Sequence, residues 1–118
     1  MTYVDCFVAP VARARRNEYT EFSNRAGALY REHGALDLHE YWGEDVPGGV
    51  QTSFPLAVKA GADEVVTLSL IVWPSRAARD AGNAAFMQDP RVQSLDLPFD
   101  GKRAIMGGFE NLFGGVSR

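Results

Sequence analysis

Three acidic residues sit inside stretches that otherwise have the pattern of apolar strand: Asp5 in residues 3–9, Glu40 in residues 36–43 and Glu110 in residues 103–113. Carboxylates that share a partly apolar space repel one another. Repulsion of that kind raises at least one pKa, which is how a general acid or base is made. Strand alternation sets Thr67 and Ser69 on the same side as these carboxylates, with Tyr3, Trp42, Trp73 and Met106 around them. Asp5, Glu40 and Glu110 are therefore the candidate catalytic residues, and Tyr3, Trp42, Thr67, Ser69 and Trp73 the candidate ligand-binding residues. A plainer alternative stands beside this: each carboxylate pairs with Arg103, Lys102 or Lys59, at the rim of a cleft or across a subunit interface.

The remaining reactive residue types offer less. His39 has the intrinsic pKa of a proton carrier, but by alternation it lies opposite Glu40, toward the helices or an edge. His33 closes a helical stripe just before Gly34 and fits a partner for the helix C-terminus. Neither histidine has a second ligand at metal spacing and Cys6 is alone, so no zinc or iron site and no cofactor are expected. Cys6 among apolar neighbours fits an inert core thiol. Gly107-Gly108 lacks the lysine, the hydroxyl residue and the helix of a phosphate loop, and fits a bulge or a close approach. The run Arg13–Arg16 is a weak anion site at best, because basic charge at a helix start opposes the macrodipole.

The elements that must position these residues are legible. Residues 65–73, Val-Val-Thr-Leu-Ser-Leu-Ile-Val-Trp, form the strongest strand signal, free of glycine, proline and charge. Pro74 stops the strand, Ser75 can cap a helix over residues 75–88, and Ala78, Ala81, Ala85 and Phe86 mark its expected buried side. Residues 3–9 read as a strand ended by Pro10. Residues 14–33 read as a helix with Tyr19, Phe22, Ala26, Leu29 and His33 in one stripe and Gly34 as its stop. A strand over 36–43 precedes a loop at 44–52. Residues 54–60 read as extended despite Pro55, so 36–60 is either one interrupted strand or two. Residues 92–102 are irregular, residues 103–113 are the last strand, and residues 114–118 should fray.

Composition sets the outer bounds. At 118 residues, the chain is expected to be a single domain over 1–118. A net charge of −3 and a pI near 5.3 argue against nucleic acid or an anionic membrane as the main partner. One cysteine excludes an intramolecular disulfide and suits a reducing compartment, and no apolar run approaches a membrane span, so a cytoplasmic soluble protein is expected.

The order β-α-β(β)-β-α-β, with right-handed crossovers, predicts an α+β, ferredoxin-like antiparallel sheet carrying both helices on one face. If Val4, Cys6, Val8, Val66, Leu68, Leu70 and Val72 face the helices, the other face carries Tyr3, Phe7, Ile71, Trp73, Trp42 and Met106. A monomer should not leave such a patch in water, so a two-fold homodimer packed sheet against sheet is expected.

The chain also resembles a family. Tyr3-Val4-Asp5, Gly34-Ala35-Leu36, Glu40 with Trp42, Asp45-Val46-Pro47, Ala57-Val58-Lys59-Ala60, Trp73-Pro74-Ser75, Asp89-Pro90-Arg91, residues 98–103 (Pro-Phe-Asp-Gly-Lys-Arg) and residues 107–110 (Gly-Gly-Phe-Glu) are similar to the YbaA-like bacterial proteins, from about residue 3 to residue 113. Cys6, Tyr41, Met106, Gly48 and Ser53 depart from that pattern. The resemblance implies a dimeric α+β barrel and no established activity. Function is therefore expected to be binding of a small organic ligand in the barrel cleft, with enzyme status open. The alternative is a dimeric interaction or stress-related protein that binds no ligand.

Overall fold

The sheet is organised from the middle outward. In the computed structural model, which describes residues 1–115, β1 (Tyr3–Ala12) and β3 (Glu64–Trp73) pair antiparallel along their full length, from Tyr3 opposite Trp73 to Ala12 opposite Glu64. β2 (Asp37–Trp42) lies outside β3 and β4 (Ile105–Glu110) outside β1, giving the order β2-β3-β1-β4. A 3-10 turn over Arg13–Arg15 leads into α1 (Arg16–Glu32). Two single turns, α2 (Phe54–Ala57) and α4 (Pro90–Gln93), flank the second long helix, α3 (Arg76–Gln88). The architecture is the expected ferredoxin-like α+β arrangement.

Local chemistry explains most boundaries. Ser75 caps α3 by accepting from the Ala78 N–H at 3.1 Å, and Gly34, at φ +106°, supplies the left-handed turn after α1. Pro10, in contrast, does not end β1. The Gly43 N–H donates to the Val66 carbonyl, so Val66 turns its polar groups toward β2, and its partner Pro10 turns its nitrogen away from β3. β4 pairs with β1 only from Tyr3 to Val8, so no strand asks Pro10 for the missing donor. The extended reading of residues 54–60 is also corrected. Ser53 accepts from the Leu56 N–H at 3.0 Å and Pro55 occupies the first turn, the arrangement of a helix start. Residues 36–60 thus hold one strand, a loop and one helical turn. Of the tail expected to fray, residues 116–118 lie outside the described residues.

The assignment of the sheet faces is reversed. The row Asp5, Ala9, Val65, Thr67, Ser69, Ile71 and Trp73 is buried, and it is this row that meets α1 and α3. The row Val4, Cys6, Leu68, Leu70 and Val72 is only partly covered. Both rows are apolar, so hydrophobicity could not choose between them. Bulk and hydrogen bonding do. The rings and long chains of Trp73, Tyr3, Ile71 and Leu38 span the roughly 10 Å between layers, and Asp5 and Ser69 find their hydrogen-bond partners on that side, in α3 and in Tyr19 of α1. Tyr30 of α1 stacks on Phe86 of α3 with centroids 3.7 Å apart and meets Trp73 edge-on at 6.1 Å. α3 lies close because Gly82 is bare: a Cβ there would collide with the Trp73 ring and stand 2.6 Å from the His33 carbonyl. The buried stripe of α3 is therefore Gly82 and Phe86, while Ala81 and Ala85, expected inside, are exposed. On the opposite face, Val58 after α2 seals one end of the sheet against Val8 and Val66.

Candidate functional site

The buried carboxylate of Asp5, 4% exposed, is the most constrained polar group in the fold. It accepts from the Trp73 indole N–H at 3.0 Å, from Nε and Nη2 of Arg79 at 3.0 and 2.9 Å, and from the Asn83 amide at 3.2 Å. The pairing alternative is realised for this residue, but with Arg79 of α3 rather than Arg103, Lys102 or Lys59. Arg79 also reaches Asp80 at 2.9 Å and lies over the Tyr3 ring at 5.2 Å. It fits there because Gly108 of β4 has no side chain, a Cβ at that position falling 2.6 Å from Nη2. Gly108 is thus a place of close approach, whereas a Cβ at Gly107 would meet only ordinary contacts with Phe109. Arg79 was not singled out in the sequence. Its signal was the spacing 79, 82, 83, 86, which puts it on the face of α3 that reaches the sheet.

Arg103 is used elsewhere. It grips Glu64 with two bonds of 2.7 and 2.8 Å, Asp100 at 3.0 Å and the Lys59 carbonyl at 2.9 Å, fastening the 98–103 loop to the start of β3. Those bonds, with the Gly61 N–H, hold the Glu64 carboxyl down to about 2. The other end of the loop inserts Phe99 edge-on against Tyr19 and Phe22, at 6.2 and 5.9 Å.

Glu40 lies beyond β3 from Asp5, two strand spacings or about 10 Å across the sheet, and Glu110 is exposed at the end of β4. The three carboxylates therefore do not share one space, and the mutual repulsion expected of them does not arise. Glu110 borders a separate hollow of about 400 Å³ with Tyr3 and Arg76. Glu40 opens on a groove of about 370 Å³ between α1 and β2, walled by Arg16, Tyr19, Ser23, Leu38 and Trp42. The Ser23 hydroxyl donates to Glu40 at 2.9 Å. Tyr19 is buried, and its hydroxyl and that of Ser69 lie 3.2 Å apart. Burial, and then the neighbouring Glu40 charge, push the Tyr19 phenol up to about 12. The Trp42 ring is tilted against Tyr19 at 6.3 Å and carries the Arg16 guanidinium above it at 5.3 Å.

Of the residues expected to bind ligand, Trp42 faces this groove and Ser69 backs it through Tyr19. Thr67 donates to the Ala9 carbonyl at 3.2 Å and belongs to the sheet. Trp73 is 0% exposed and belongs to the core, and Tyr3 lies at the other hollow. Tyr19 was hidden in a helix stripe that read as packing, Ser23 beside that stripe was not singled out, and Arg16 lay in a run that read only as a weak anion site. His39 sits on the open side, 3.1 Å from Asp37, and His33 bonds Asp89 at 2.9 Å beside the end of α1. Burial pushes the Cys6 thiol up. Among the described residues no group of three or more His, Cys, Asp or Glu is placed to hold a metal ion, and no helix is long and apolar enough to cross a membrane.

With this geometry in place, the likeness to known proteins can be weighed. A family model described as "Protein of unknown function (DUF1428)" matches residues 2–101. The chain belongs to the DUF1428 family. Uncharacterized protein YbaA of Escherichia coli K12 is 46% identical over 114 residues, covering 95% of this chain and 97% of that protein; a Shigella flexneri YbaA matches to the same extent. This agrees with the resemblance drawn from the motifs. The fold of this DUF1428 chain is similar to that of Rv0793 from Mycobacterium tuberculosis (TM-score 0.60, 11% identity, 98% of this chain and 100% of that one). It is also similar to that of a Bacillus cereus candidate antibiotic biosynthesis monooxygenase (TM-score 0.59, 10% identity, 98% of each chain). At such identities the likeness is one of fold.

Proposed function

We propose that this DUF1428 protein is a homodimer that binds a small organic molecule in the groove between α1 and β2. The observation that carries the reading is the convergence of a carboxylate (Glu40), a cation (Arg16), hydroxyls (Tyr19, Ser23) and an indole (Trp42) on one groove of about 370 Å³. Ligand sites have that size, and they combine apolar walls with a few convergent polar groups in this way. The Bacillus cereus neighbour, named for a reaction on small molecules, has the same fold, which supports the reading by analogy only. A screen of small metabolites by intrinsic tryptophan fluorescence and thermal shift tests it. A ligand should perturb Trp42 and raise the melting temperature, and Trp42→Phe should abolish the fluorescence response. No stabilising compound in a broad metabolite set would leave the ligand-free interaction protein as the better reading, one already favoured at Asp5, whose partners are all spent on packing.

The dimer rests on the open face of the sheet. Val4, Cys6, Leu68, Leu70 and Val72 are partly bare there, and Tyr41, Ile105 and Phe109 around them are exposed. The expected patch thus exists on the opposite row from the one read in the sequence. A second copy of the same face would cover it through a two-fold contact. Light scattering at micromolar protein should give twice the chain mass, and Leu70→Glu should return a monomer. A clean monomer mass for the wild type refutes the dimer. A cytoplasmic location fits the single reduced thiol of Cys6.

A further inference from the structure

The groove proposed above as a ligand site contains groups of three different protonic characters, and the present inference rests on that reading. Glu40 is half-buried and is oriented by the Ser23 hydroxyl at 2.9 Å. A carboxylate offers about four acceptor positions, and one bond leaves most of them free. Tyr19 is different in kind. Its phenol stays protonated throughout the neutral range, so it is a donor there, and its ring is wedged between Trp42 at 6.3 Å and Phe99 at 6.2 Å. Arg16 is the third. Its guanidinium makes no ion pair among the described residues and rests on the face of Trp42 at the rim. A base, a neutral hydrogen-bond donor and a permanent cation around one partly apolar space form a set with a definite use.

We propose that this groove catalyses proton transfer at the carbon next to the carbonyl of small 2-oxo carboxylates. Arg16 binds the carboxylate. The Tyr19 hydroxyl donates to the carbonyl oxygen, and Glu40 removes a proton from the adjacent carbon. The C–H bond breaks, its electron pair forms the carbon–carbon double bond, and the carbonyl pair moves to oxygen as an enolate held by Tyr19. Glu40, now protonated, returns the proton to carbon, or to oxygen to give the enol. No electron leaves or enters, so no oxidant or reductant is needed. Leu38 and Trp42 form the apolar wall beside the base.

The test is proton exchange in D2O, followed by proton NMR at carbon 3 of pyruvate, 2-oxobutanoate and phenylpyruvate. The wild type should accelerate exchange about 10²-fold or more over buffer in at least one of them. Glu40→Gln should return the rate to baseline. Tyr19→Phe, which keeps the ring, should lower kcat with little change in KM, and Arg16→Ala should raise KM. Glu110→Gln, in the other hollow, should leave the rate unchanged. Circular dichroism confirms that each variant is folded, and Ser23→Ala, which loosens Glu40 without removing it, gives an intermediate rate. Oxo acids that perturb Trp42 fluorescence but do not exchange overturn the proton-transfer step and leave the binding groove standing. Oxo acids that neither bind nor exchange overturn the assignment of this substrate class. Exchange that survives in Glu40→Gln overturns the choice of base.

Discussion

Replacing Asp5 by alanine should be among the most damaging single changes in the fold, and the geometry allows the loss to be worked out. The Trp73 indole N–H is buried with Asp5 as its acceptor, and stranding it costs about 1–3 kcal/mol. Arg79 has a side chain 21% exposed and keeps Asp80 as a partner, so it can turn partly to water. Its loss belongs at the lower end, about 1–2 kcal/mol. The Asn83 amide adds about 1 kcal/mol. The sum, about 3–6 kcal/mol, overlaps what breaking one side of a buried pair costs, about 3–5 kcal/mol. A domain of this size holds only about 5–15 kcal/mol in all. With a urea slope of about 2 kcal/mol/M, the unfolding midpoint should fall by about 2 M. Asp5→Asn retains an acceptor for the indole and should lose about half as much. The assay is urea unfolding followed by tryptophan fluorescence and far-ultraviolet circular dichroism. An Asp5→Ala midpoint within about 0.3 M of the wild type, less than about 1 kcal/mol, would refute the claim that this carboxylate ties α3 to the sheet.

Gly82→Ala drives a methyl group into the Trp73 ring and to 2.6 Å from the His33 carbonyl; since backbone cannot yield as a side chain does, it should destabilise by about 1–3 kcal/mol, read from the same titration. The Tyr19 phenol, up at about 12 through burial, binds its proton more tightly in the folded state than in the unfolded one. Its contribution is whole below pH about 10 and is lost as pH rises toward about 12, at most about 2–3 kcal/mol, so urea midpoints should fall over that window and Tyr19→Phe should flatten the fall. Glu64 acts in the opposite sense. Its carboxyl is held down to about 2 by Arg103, so its contribution is whole above the ordinary glutamate value and disappears as pH falls toward about 2. Arg103→Gln should lower the urea midpoint at neutral pH and leave it almost unchanged at the acid limit.

What the sequence conveyed and what it withheld divide along a physical line. Periodicity is a one-chain property, so the elements 65–73, 75–88 and 14–33 could be read directly, as could the grouping of Asp5, Glu40, Thr67, Ser69, Trp42 and Trp73 in one row. Which layer covers that row is a property of pairs of elements. Two rows of similar hydropathy are degenerate until something with a specific demand breaks the tie. Asp5 is that group. On a central strand under a helix it must find donors, and α3 presents Arg79 and Asn83 one helical turn apart on the face that also carries Gly82 and Phe86. An acidic residue in an apolar strand can therefore be matched to a basic residue and an amide at i, i+4 on a small-residue helix, and the match fixes the face.

The same reasoning explains why the candidate site moved rather than vanished. Asp5 and Glu40 were grouped because they share a row, but a row is wide. The strand between them separates the two carboxylates, and each is then defined by the helix above it. α3 brings a cation and an amide to Asp5 and saturates it. α1 brings to Glu40 one serine hydroxyl and a tyrosine that stays protonated at neutral pH, which leaves acceptor capacity unspent. Saturation marks a carboxylate that holds a fold together, and spare capacity beside a groove marks one that is available to a ligand. By that criterion Asp5 is spent on the fold, while Glu40 keeps the acceptor capacity that the proposed ligand groove requires. The helix stripe that read as packing, Tyr19 with Phe22, is what carries one wall of its site.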